Sequence, residues 1–218
     1  DVDNSKVCLS PHMDAILTKV GDPRYLLPYL KSCIDHFGPD MKDHSKYYKD
    51  KKTFKFQEHG YDFSSDIGSI TEGLQTLVVN KIIPNISPVN EVLKNGGSLL
   101  DFGCGTAKLL IKASSLFPDA LFYGLDIDKS GIEIGNKSIK ELQIENKIIN
   151  IEKTNARYLT SATIKDKIDI IVCDVSFISM IKVIEPCLKF LTNNGQIIAL
   201  QGAHKHVQMM YGPTYMKP

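Results

Sequence analysis

An α/β fold is what this 218-residue sequence predicts: a mostly parallel sheet with helices on both faces, preceded by a mainly helical N-terminal region. Three observations predict it. From Ser98 onward, strand-like and helical stretches alternate. The first of those strands runs straight into a glycine turn and then a helix, "LLDFGCGTAKLLIKA", Leu99 to Ala113. Before Ser98, apolar residues recur at three- and four-residue spacing and no strong strand is legible.

The strand-like runs are "SLLDF", "ALFYGLDID", "IINIEKT", "IDIIVCDVSF" and "GQIIAL". Between them lie "TAKLLIKASSLF", "SGIEIGNKSIKELQI", "ARYLTSATIK" and "MIKVIEPCLKFLT", which read as helices or irregular crossovers. Such alternation makes parallel βαβ units, whose right-handed crossovers cover both faces of the sheet. The ligand crevice then lies beyond the carboxyl ends of the strands, where the strand order reverses. Only 18 residues follow Leu200, so the sheet is expected to be truncated after its fifth strand. An open edge of that kind needs cover. Either "HVQMMYGPTYM" folds back as a substitute edge, with Val207, Met209, Met210, Tyr211 and Tyr215 as its apolar contacts, or a second chain covers it in a homodimer.

The helical region is expected over residues 1–90 and the sheet domain over 91–218. "PHMDAILTKV", "DPRYLLPYLKSCIDHF" and "DIGSITEGLQTLVVNKIIP" carry the helical spacing, with breaks expected at "GPD", "HGYDF" and "NISP". Between these helices, "MKDHSKYYKDKKTFKFQEHG" interleaves Lys42, Lys46, Lys49, Lys51, Lys52 and Lys55 with Tyr47, Tyr48, Phe54 and Phe56. Lysines with aromatics suit an RNA backbone and its bases. The favoured reading is plainer: a solvated loop whose aromatics anchor it to the core.

Composition narrows the partners. The 26 Lys and Arg nearly cancel the 25 Asp and Glu, so no global field recruits nucleic acid or membrane. Five cysteines without a CxxC pair argue against a disulfide framework, and reduced thiols in a cytoplasmic protein are expected. The polar start "DVDNSKVCLSPHMD" has no secretory pattern, and no apolar run approaches the roughly 20 residues that cross a bilayer. His204 and His206 fall short of the three or four ligands a metal needs, so no metal is expected.

The glycine turn carries the chemistry. Without a Cβ, glycine lets backbone N–H groups and the positive end of a helix approach a ligand closely. The spacing is Asp101, Gly103, Gly105, Ala107, and position 108 is Lys where a dinucleotide fingerprint requires a third glycine. "GTAKLL" does not supply the Gly-Lys-Ser/Thr of a P-loop either. Asp126 ends the second strand, where an acid accepts hydrogen bonds from both hydroxyls of a ribose; Asp128 is placed to cap the helix that follows. Asp174 closes the fourth strand at the rim of the crevice.

"LLDFGCGTAKLLIKASSLFPDALFYGLDIDKSGIEIGNKSI" resembles the first two motifs of class I S-adenosylmethionine-dependent methyltransferases, and residues 71–200 follow that family's order of elements. The resemblance implies a Rossmann-like fold with S-adenosyl-L-methionine as cofactor. Asp101 and the backbone of Gly103 and Gly105 would hold its methionine end, Asp126 its ribose, and Ile127 would flank the adenine. Asn155, with Ala156 beside it, stands where many relatives carry an acid facing the adenine amino group, and its side-chain oxygen accepts the same hydrogen bond. Asp174 would lie by the transferring methyl, as cofactor contact and candidate proton acceptor. Residues 152–180 also resemble hemolysin A-like ribosomal RNA 2′-O-methyltransferases, in which an Asp at the position of Asp174 works with two lysines and a glutamate. That match stops there, because "ALQGAHKHVQMM" has no Lys-Pro pair after the fifth strand and Lys205 is out of register. The helical first half resembles small-molecule methyltransferases with a helical lid. The expected activity is O- or N-methylation of a small or medium-sized acceptor. RNA is the runner-up, and a truncated, inactive cofactor-binding partner is the third reading.

Overall fold

In the computed structural model, which describes residues 2–3, 6–7, 9–51, 55–151, 154–155, 159–160, 163–174, 180–201 and 206–211, the chain opens on a short antiparallel pair. Its strands are β1 (Val2–Asp3) and β2 (Lys6–Val7), where the sequence shows no strand signal. Six helices follow: α1 (Met13–Leu17), α2 (Leu27–Ser32), α3 (Gly38–Lys49), α4 (Tyr61–Leu77), α5 (Ile83–Asn85) and α6 (Ser87–Lys94).

Two of the expected breaks hold and one does not. Gly60, at φ +86°, starts α4, and Ile86 leaves helical geometry before α6. At "GPD", however, the helix runs on, because Cys33–Phe37 forms a π-helical turn that joins α2 to α3. Gly38 donates its N–H to the Cys33 carbonyl across that wide turn. Pro39 then falls in the first turn of α3, where a missing N–H costs nothing. The same device recurs at Val78–Ile82, followed by Pro84 in α5. The lysine-rich run is accordingly no simple loop: Lys42, Lys46 and Lys49 lie exposed on α3. Phe56 does anchor its segment, with its ring 4.8 Å from that of Phe63, whereas Tyr48 is 81% exposed and Phe54 lies outside the described residues.

The sheet is built from β3 (Ser98–Phe102), β4 (Leu121–Leu125), β5 (Ile148–Ile151), β6 (Ile168–Cys173), β7 (Leu191–Gln201) and β8 (His206–Tyr211), in the order β5-β4-β3-β6-β7-β8. The first five are parallel, and the order reverses between β3 and β6. Three crossover helices are described: α7 (Lys108–Leu116), α8 (Lys129–Glu141) and α9 (Met180–Cys187). In the crossover between β5 and β6, the described part of "ARYLTSATIK" holds a turn at Thr163 and no helix. Strand β8 pairs antiparallel with β7 from Gln196↔Tyr211 to Gln201↔His206, so the sheet does not end at its fifth strand. The chain's own C-terminal segment covers that edge; Tyr215 and the apolar side chains assigned to the contact lie outside what is described.

Strand alternation sorts the core into two layers. Leu99, Phe122, Ile170, Val172 and Ile198 face α7, α8 and the N-terminal helices. Leu100, Phe102, Leu125, Ile171 and Ile197 face α9. Each fully buried Leu, Ile or Phe contributes about 1.5–3 kcal/mol. Burial on both faces is why these strands read as near-continuous apolar runs.

Candidate functional site

The site grows from the end of β3. Asp101 is the penultimate residue of that strand, in register with Gly124 on one side and Val172 on the other, and it is 4% exposed. The chain then turns through Gly103 (φ +77°) and Gly105 (φ +49°), conformations that side chains rarely adopt. Ala107, also at positive φ, is buried and enters α7. Gly103 and Cys104 donate their N–H groups to the Leu125 carbonyl, which lashes the turn to the end of β4. In front of Gly105 a Cβ would meet nothing within 4 Å, so the loop leaves an open cradle. Behind it, α8 comes so close that a Cβ on Gly131 would sit 3.1 Å from the Gly105 carbonyl oxygen.

Asp126 fastens this loop. Its Oδ2 accepts the Gly105 N–H at 2.7 Å and its Oδ1 accepts the Asp128 N–H at 2.8 Å. The Thr154 N–H reaches the Asp126 carbonyl from beyond β5. Asp128 caps α8, accepting from Ser130 and Gly131, as its spacing predicts; Asp126 has no part in the cap. Ile127 between them is exposed, and Asn155 is half-buried. Ala156 lies outside the described residues, as do 152–153, 157–158 and 175–179, which flank Asn155 and follow Asp174.

Three carboxyls therefore gather at the carboxyl ends of β3, β4 and β6. Burial, and then the charges of Asp174 and Asp126, push the Asp101 carboxyl up to about 8. No hydrogen bond to it is present among the described residues. Burial also raises Asp126, against the pull of the N–H groups of Asp128, Gly105 and Ile127. Cys104, beside them, is pushed well up by burial and by the same acids, so its thiol stays protonated. A desolvated corner that keeps one of its acids protonated favours a cationic ligand, whose charge lets that acid ionise.

Sequence reasoning found the acids and glycines and missed what braces them. Helix α4 lies across the starts of α7 and α8. Ser64 donates to Asp128 Oδ2 at 2.6 Å, and a Cβ on Gly68 would be 2.5 Å from Thr106 Oγ1. Glu72 pairs with Lys108 at 2.7 Å and Lys112 at 3.1 Å. These three recur every four residues, a periodic signal that is visible in the sequence but carries no apolar side chain. The opposite side of α4 holds the other helices: His36, Phe37, Phe56 and His59 pack around Phe63, and Asp66 pairs with Lys31 and His36. A cavity of about 260 Å³ opens between the 20–28 segment and α4, with Lys31, Asp66, Ser69 and Glu72 in its lining. Among the described residues no group of three or more potential ligands gathers to hold a metal, and no helix is long and apolar enough to cross a membrane.

Comparison with known proteins gives this geometry relatives. Residues 93–210 match a family model described as a methyltransferase domain. An uncharacterized protein of Rickettsia prowazekii is 32% identical over 105 residues, which is 44% of this chain and 39% of that protein. The ribosomal protein L11 methyltransferase of Caldanaerobacter subterraneus subsp. tengcongensis is 28% identical over 111 residues, 51% of this chain and 34% of that enzyme. The chain thus spans less than two-fifths of the length of either curated relative. The solved structure of a putative S-adenosyl-L-methionine-dependent methyltransferase from Methanococcus maripaludis shares the fold, with a TM-score of 0.53 at 20% identity over 68% of this chain and 65% of that one.

Proposed function

This chain belongs to the methyltransferase-domain family, and from that premise we propose that it binds S-adenosylmethionine and transfers its methyl group to a small or medium-sized O- or N-nucleophile. The observation that carries the reading is the trio Asp101, Asp126 and Asp174 set around a glycine turn. Acids crowded in a desolvated corner suit a ligand that bears a sulfonium and an ammonium and has ribose hydroxyls to donate to them. The open space before Gly105 fits the close approach of such a ligand's methionine end.

When bound, the cofactor supplies an already activated methyl carbon. The chain's own task is then mainly orientation, which contributes roughly 7–11 kcal/mol when donor and acceptor are held in line. Asp101 and the Gly103–Gly105 turn, whose N–H groups are already bonded to the Leu125 carbonyl and to Asp126, would hold the amino acid end through their oxygens, and Asp126 would hold the ribose hydroxyls through the lone pairs its backbone partners leave free. Ile127 would flank the adenine, and the Asn155 side-chain oxygen would accept from its amino group. Asp174, half-buried at the end of β6, orients an acceptor OH or NH and takes its proton where the attacking group is protonated. The helical region, gripped along α4, walls the acceptor side and excludes water.

A protein acceptor is the second reading, favoured by the relative whose name gives ribosomal protein L11 as its substrate. The test of the first step is thermal: S-adenosylhomocysteine should raise the melting temperature, since a ligand that binds only the folded state stabilises it by mass action. Equal stabilisation by NADH sinks the proposal. A labelled-methyl screen against metabolites, protein and RNA then sorts the acceptors.

A further inference from the structure

Helix α4 belongs by sequence to the helical region, yet it ends a chain of hydrogen bonds that begins at the ribose carboxylate. The Ser64 hydroxyl has one proton and two acceptors in reach, the Gly60 carbonyl at 3.0 Å and Asp128 Oδ2 at 2.6 Å. The shorter, charge-assisted bond takes it. Asp128 is 3% exposed, and among the described residues Ser64 is its one side-chain donor; the Ser130 and Gly131 N–H groups supply the rest. The Asp128 N–H in turn holds Asp126 Oδ1, while Gly105 holds Oδ2. Gly68, one turn on, lets α4 sit close enough for this, because any side chain there would overlap Thr106.

We propose that Ser64 is a positioning residue for the cofactor: through Asp128 it sets the orientation of the Asp126 carboxylate, and so makes the helical region part of the cofactor site. The proposal rests on the reading of Asp126 as the ribose ligand. Removing the Ser64 hydroxyl leaves Asp128 Oδ2 with one donor in place of two. The carboxylate then turns toward its remaining backbone partners, and the 126–128 turn that aims Asp126 loosens. Asp66, on the other side of α4, pairs with Lys31 and His36 and reaches no part of that turn, so it reports on the seating of α4 among the helices without touching the relay.

The experiment is calorimetric titration of S-adenosylhomocysteine into the full chain. Ser64→Ala should weaken binding about tenfold, or 1.4 kcal/mol at 25 °C. Ser64→Thr, which keeps the hydroxyl, should restore it to within about threefold, and Asp66→Asn should leave it within about twofold even where it lowers the melting temperature. In an Asp126→Asn background, Ser64→Ala should cost less than about twofold more, because its effect passes through that carboxylate. Should Ser64→Ala fail to fold, Ser64→Cys, similar in volume but a far weaker donor, gives the same comparison. Unchanged affinity in Ser64→Ala, or an equal loss in both backgrounds, overturns the proposal. Folded wild-type protein that binds no S-adenosylhomocysteine overturns the function from which it starts.

Discussion

Replacing Asp101 with Asn should make the empty protein more stable and the cofactor complex weaker. In the folded chain, burial and the neighbouring acids hold the Asp101 carboxyl protonated up to about pH 8, whereas the ordinary value is 3.8. Between pH 4 and pH 8 the unfolded chain therefore releases a proton that the folded chain keeps, and stability falls as pH rises. At 1.36 kcal/mol per unit, the cost accumulated from pH 3.8 to pH 7 is about 4 kcal/mol. Asn fills the same space and carries no such cost, so Asp101→Asn should melt about 10 °C higher at pH 7, at 2–4 °C per kcal/mol for a chain of this size. The gap should shrink as pH falls toward 4 and level off above 8. Binding moves the other way, because Asn offers no charge to an ammonium; loss of a charged hydrogen bond, about 1.5–3 kcal/mol, weakens S-adenosylhomocysteine roughly ten- to a hundredfold. Urea melts from pH 5 to 8, paired with titration calorimetry, measure both. A variant less stable than wild type at pH 7, or a stability gap that does not change with pH, refutes the account of a strained carboxyl.

Two further outcomes follow from the same site and core. With an acceptor in hand, Asp174→Asn should keep S-adenosylhomocysteine affinity within a few-fold and lower turnover by roughly 10²–10⁴, the range for a lost proton acceptor; a fall below tenfold leaves Asp174 an orienting group only. Among the described cysteines, a maleimide should label exposed Cys33 within minutes and spare buried Cys104, Cys173 and Cys187 until the protein unfolds, since burial holds the Cys104 and Cys187 thiols protonated. Mass spectrometry of partly labelled protein that finds Cys104 modified first would contradict the closed packing behind the glycine turn.

The parts of this fold legible in the sequence are those set by local periodicity. The change from a short apolar run to a 3.6-residue rhythm across Phe102 to Lys108 reads as a strand, a turn and a helix, and two glycines at positive φ fix the turn. Asp126 was legible because strand β4 ends one residue before it. The run from α2 into α3 was not, since Gly38-Pro39 breaks an ordinary helix and no sequence pattern announces the π turn that absorbs it. Nor was the state of Asp101, whose carboxyl is driven up first by burial and then by acids 73 and 25 residues away that only the sheet brings together.

The bracing of the site by α4 was hidden for a different reason. Ser64, Gly68 and Glu72 repeat at helical spacing as plainly as any apolar stripe, but hydrophobic periodicity looks for faces that bury carbon. This face packs against a polar loop and two helix starts, so its residues are a hydroxyl, a hydrogen and a carboxylate. Each is matched to particular groups and not to a solvent-averse surface. The rule that follows is physical: a helix that seats on a ligand-binding loop must leave that loop's backbone room and satisfy its buried acid. Small and polar residues every fourth position are what such a helix looks like in sequence. On α4 Phe63, beside them, packs among the other helices, and the two faces together join the helical region to the turn that holds Asp126.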